Sequence, residues 1–140
     1  MRHLDTNLPA LFAAVAASVG VCAHGIVGHR WFMGQLRSVK LQPTRLFGDA
    51  DVSWRVFAVT WHVVTTVFLA SAVVLYLSAF QALESRELLR FIAIIHAAFL
   101  GVGLVYLVKR LDALTRPIPP LFVAVMVAAA SFAWTASNSV

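Results

Sequence analysis

Histidine sets the chemistry open to this 140-residue chain. Three of its five histidines, His24, His62 and His96, lie in stretches without a single Lys, Arg, Asp or Glu, at positions 6–29, 56–83 and 91–108. An imidazole is expensive to place in apolar surroundings, exchanges protons near neutral pH and ligates metals through either ring nitrogen. Each of the three is therefore a functional candidate, whereas His29, beside Arg30 and Trp31, reads as a headgroup contact and His3 is terminal.

Helical spacing sets what these histidines can reach. Ala16, Gly20, His24 and Gly28 recur every four residues, as do Ala58, His62, Thr66 and Ala70, so each histidine shares a face with small or hydroxyl side chains. At about 1.5 Å of rise per residue, His24 and His62 sit level, while His96 lies roughly 10 Å away in depth. His96 shares its face with Ile92, Leu100 and Gly103 and is not expected to join the pair on one metal ion.

Three readings of the pair stay open. Neutral His24 and His62 can hydrogen-bond across a helix interface, a contact worth about 1 kcal/mol. Both can ligate the iron of a haem b, with Gly20 and Gly28 clearing space and Arg30 and Arg55 near enough to the membrane edge to meet propionates. Thr65 and Thr66 would then hydrogen-bond a ring or a backbone carbonyl. In the third reading the histidines line a polar pocket for a lipophilic ligand, or a proton path. No acidic residue lies in these stretches, so carboxylate-driven pumping and a di-iron carboxylate centre lack their ligands. Cys22 is the only cysteine, which excludes an intrachain disulfide and a cysteine-based zinc site. No catalytic set, phosphate loop or hydrolase motif is recognisable.

The elements that must hold these residues follow from composition. The chain is 61% hydrophobic and 12% charged, about half the charge of an ordinary soluble domain. With a fourth uncharged stretch at 117–140, each run is long enough to cross a hydrocarbon core of about 30 Å as a helix. The runs are continuously apolar rather than alternating, which argues against a β-barrel. The expected fold is all-α: an integral membrane, antiparallel bundle of four transmembrane helices, residues 1–140 forming one domain with helices near 7–32, 53–83, 86–114 and 119–136. Thr6 or Asn7 caps the first helix with Pro9 in its first turn, Asp51 or Ser53 caps the second, and Ser85 with Glu87 opens the third. Arg116-Pro117-Ile118-Pro119-Pro120 separates the third from the fourth. A bulky Val21 before Cys22 favours retention of the first span over its cleavage as a signal peptide.

Positive residues set the orientation. Arg30, Arg37, Lys40, Arg45, Arg55, Lys109, Arg110 and Arg116 flank the first and third connections, against Arg2, Arg86 and Arg90 on the other side. Both termini are expected outside an inner (plasma) membrane, with Trp31, Trp54 and Trp61 as an interfacial belt at the cytoplasmic edge. The net charge of +5 is spread between spans, so it points to lipid headgroups and not to nucleic acid. Leu36, Val39, Leu46 and Phe47 suggest that part of the first connection lies on the membrane surface. Gly101 and Gly103 are expected to pack against Ala124, Ala128 and Ser131.

The run from His24 through Gly28 to Arg30, then Arg55 and Trp61-His62-Val63-Val64-Thr65, resembles a family of small bacterial four-helix membrane proteins. That family has a His/Gly motif ending its first helix and Trp-His-x-x-Thr in its second, and it carries no established activity. The resemblance implies the same bundle and a focus on His24, Gly28, Trp61, His62 and Thr65. Gly25 and His29 depart from the pattern, which has a small hydroxyl residue and an acid there. Two function classes remain beside an intramembrane ligand or cofactor site. One is an accessory subunit packed on a partner membrane protein; the other is a homo-oligomeric transporter, against which stands the lack of any inverted repeat or broken helix.

Overall fold

The computed structural model describes residues 6–35, 50–83, 85–108 and 118–140. Four helical spans make up the fold, in the order α1 (Leu8–Val21) continuing into a π-helix (Cys22–Met33), α2 (Ala50–Ala79), α3 (Arg86–Val108) and α4 (Ile118–Ser137). Each contains a stretch long and apolar enough to cross a membrane.

Local chemistry fixes the ends. Asn7 Oδ1 accepts from Ala10 N at 3.1 Å, with Pro9 in the first turn where its missing N–H leaves no bond unmade. Helix α2 was expected to reach residue 83 but ends at Ala79. Gln81 takes the left-handed conformation (φ 56°), and Ala82 N and Gln81 N turn back to Leu77 O and Ser78 O at 2.8 and 3.2 Å. This is a Schellman cap, in which the turning residue is usually glycine. Ser85 Oγ then accepts from Leu88 N at 3.3 Å and starts α3.

The arrangement is antiparallel. Asn7 N donates to Ala79 O at 2.9 Å, Asn7 Nδ2 to Ser139 Oγ at 3.1 Å and Arg86 to Val140 O at 2.6 Å. The start of α1, the end of α2, the start of α3 and the end of α4 thus share one end of the bundle. Helix α1 packs on both α2 and α4, and α4 packs on α3. Helices α2 and α3 are consecutive, yet their backbones stay apart and they meet through side chains. Ala10, Ala13, Ala14 and Ala17 of α1 are buried against Ala72, Leu75 and Ala79 of α2 and Ala133 and Ala136 of α4. Side chains this small let helices approach closely, which is how packing is won where lipid removes the hydrophobic drive. The remaining surface carries large apolar groups such as Phe12, Val59, Val63, Leu69 and Phe91, as helices facing acyl chains do.

The fourth helix turns a different face inward from the one expected. Val125, Met126, Ala129, Ala133 and Ala136 are buried, while Ala124 and Ser131 are exposed. Alanine lies all round this helix, so its periodicity does not select a face. Phe122 closes on Gly103, where a Cβ would sit 2.5 Å from Phe122 Cε1; Gly101 faces open space.

Candidate functional site

The first two spans interlock through residues one turn apart. The His24 ring stacks on the Trp61 indole, centroids 4.0 Å apart and planes within 13°. Trp61 Nε1 donates to His24 O at 3.2 Å, and His24 Nδ1 lies 2.9 Å from Thr65 Oγ1. Thr65 directs its one hydroxyl hydrogen to Trp61 O at 3.3 Å, so His24 Nδ1–H is the donor in the pair. Phe68 meets His24 edge-on at 5.9 Å.

The glycines make these contacts possible. A Cβ on Gly28 would stand 2.5 Å from Trp61 Cζ2, and one on Gly25 would stand 2.8 Å from Thr65 Cγ2. At Gly20 the neighbours are Val125, Met126 and Phe68, at 3.4 to 3.8 Å. The room expected for a flat macrocycle at Gly20 and Gly28 is therefore filled by protein. One face of the His24 ring is covered by indole and Nδ1 is engaged by Thr65, which leaves Nε2 as the nitrogen able to ligate a metal.

His62 is level with His24 but exposed, and its ring lies against His29, centroids 5.2 Å apart and planes tilted by 34°. His24 thus finds its partners in Trp61 and Thr65, and His62 finds its partner in His29. Thr66 is exposed and bonds back to His62 O at 2.9 Å, within its own helix. Arg30 and Arg55 are both exposed, and Arg30 lines a shallow groove with Ile26, Val27 and Trp31.

Helix geometry explains why His29 was missed. In an α-helix, residues five apart point about 140° away from one another. A π-helix closes i→i+5 bonds and turns less per residue, so His29 comes round toward the side of the helix that His24 occupies. Nothing in Cys22–Met33 signals this widening except its glycines, Gly25 and Gly28.

His96 is fully buried. Its Nδ1 donates to Ile92 O at 2.9 Å, and its Nε2 has no hydrogen-bond partner among the described residues. Its ring stacks on Phe68 at 5.6 Å, so Phe68, which sequence reasoning passed over, links His96 to His24. Among the described residues no group of three or more His, Cys, Asp or Glu is placed to hold a metal ion.

Most of the basic residues behind the orientation, namely Arg2, Arg37, Lys40, Arg45, Lys109, Arg110 and Arg116, lie outside the described residues, as does the surface segment with Leu36, Val39, Leu46 and Phe47. Of the tryptophan belt, Trp31 is exposed, Trp54 is half-buried and Trp61 is committed to His24. Comparison with protein-family models, with curated proteins and with solved structures finds no match for the chain.

Proposed function

We propose that this is a small multi-pass protein of the inner (plasma) membrane that binds a ligand at the histidine-bearing interface between its first two spans. The observation that carries this reading is the pair of exposed rings, His29 and His62, side by side on helices whose surface is otherwise largely apolar. An imidazole on such a surface costs energy that a purely structural role does not return. His24, with Trp61 and Thr65, forms the rigid wall behind them, and Gly25 and Gly28 bring the two backbones close. His62 is exposed, so the favoured ligand approaches it from its open side. The basic bias of the first and third connections supports an orientation with both termini outside.

The test compares what co-purifies, metal or organic, with wild type, His62→Leu and His96→Leu, measured by elemental analysis and native mass spectrometry. A stoichiometric species lost in His62→Leu and kept in His96→Leu is the expected result. The same bound species in all three would contradict the proposal.

A second reading, an accessory subunit, draws on α3. Ala97 and Gly101 lie exposed one turn apart, and a Cβ on Gly101 would meet nothing within 4 Å. Small residues at this spacing on a lipid-facing helix admit a partner helix. Loss of co-purifying protein in Gly101→Leu would support it.

A further inference from the structure

We infer that His29 and His62 form a two-imidazole site for a divalent first-row transition-metal ion. This names the ligand class of the site proposed above and rests on that reading. Two imidazoles sharing one tetrahedral ion at metal–nitrogen distances of about 2.0–2.1 Å hold their ring centroids roughly 5 Å apart. His29 and His62 stand at 5.2 Å, tilted by 34°, which is neither a flush stack nor an edge contact.

Three further observations favour an ion over a mere ring contact. Both rings are exposed, so the remaining coordination positions are not blocked by the protein. The separation is set by rigid parts: one turn away, the His24–Trp61–Thr65 contacts and the close approach at Gly25 and Gly28 fix the π-helix against α2. The neighbouring Arg30 belongs to a different groove, with Ile26, Val27 and Trp31.

The donor set restricts the ion. Two imidazoles with, among the described residues, no carboxylate completing the set suit Cu2+, Zn2+ or Ni2+ and reject Mg2+ and Ca2+, which need oxygen ligands. Among the described residues no third His, Cys, Asp or Glu completes the shell. The ion is therefore held by two protein ligands, with its other positions left to donors from outside the chain. Such a site exchanges its ion readily, unlike a closed four-ligand structural centre.

The experiment uses the full-length, tag-free protein in detergent, carrying His3→Ala so that the N-terminal histidine does not compete. It is titrated with Cu2+ and read by electron paramagnetic resonance, which counts coordinated nitrogens. The expected result is one Cu2+ per chain with two imidazole nitrogens, not displaced by Mg2+, and lost in both His29→Gln and His62→Gln. His96→Gln keeps the signal. The inference is overturned if the His3→Ala protein binds no Cu2+, or if either histidine variant keeps the two-nitrogen spectrum. The parent spectrum alone decides the nitrogen count should one variant fail to fold. If Cu2+ is not bound but an organic species is still lost in His62→Leu, the metal falls and the ligand site stands; if neither is bound, both fall.

Discussion

Trp61 cannot swing away from Gly28 without giving up its bond to His24 O and its stack on the His24 ring. A methyl at position 28, placed 2.5 Å from Trp61 Cζ2, therefore strains the whole interface. Gly28→Ala is expected to lower stability by about 1–3 kcal/mol, as overpacking does. Gly101→Ala meets nothing within 4 Å and gains up to about 1 kcal/mol of helix propensity. Unfolding in detergent micelles checks the contrast, and equal effects at the two glycines would count against the packing described. At Thr65 the hydroxyl accepts from His24 while the methyl lies over Gly25. Thr65→Val keeps the methyl and removes the acceptor, so it should cost about 1 kcal/mol. That cost should shrink in a His24→Phe background, where only the bond from Thr65 to Trp61 O remains to be lost, since a double-mutant cycle isolates the shared bond; an undiminished cost there would mean that Thr65 acts elsewhere.

At the level of elements, the decisive feature is the π-helix over Cys22–Met33. It predicts that cysteines at positions 29 and 62 cross-link efficiently with a short thiol-reactive linker, while cysteines at 26 and 62 do not, because Ile26 faces outward. Efficient cross-linking from position 26 instead would show that the segment runs differently. The four helices were legible because charge-free runs of this length are long and apolar enough to cross a membrane as helices, and the capping roles of Asn7 and Ser85 were legible from residue type. The π-widening was not, since sequence periodicity presumes the α-helical turn; His29 was read as a headgroup contact because Arg30 and Trp31 adjoin it. The end of α2 was also hidden, because Gln81 adopts a conformation that glycine ordinarily marks. His24 and His62 were expected at one depth, but depth says nothing of facing. The structure gives His24 to Trp61 and turns His62 outward.

On the scale of the whole molecule, one end gathers the start of α1, the ends of α2 and α4 and the start of α3, and the opposite end carries the histidine interface. The basic bias is the ground for proposing that the first end lies outside. A reporter fused after Val140 should behave as exported, and cytoplasmic activity there would invert the orientation. The central claim, that the exposed histidines serve a ligand and not the fold, makes its own thermodynamic prediction. A residue kept for binding is dispensable to stability, whereas one kept for packing is not. The direct measurement is the unfolding free energy of wild type and His62→Leu, both stripped of metal and of bound organic molecules. Removing an imidazole from an apolar surface should leave His62→Leu at least as stable as stripped wild type, and only wild type should gain stability when its ligand is restored. A stripped His62→Leu protein clearly less stable than stripped wild type would contradict the account and make His62 part of the scaffold.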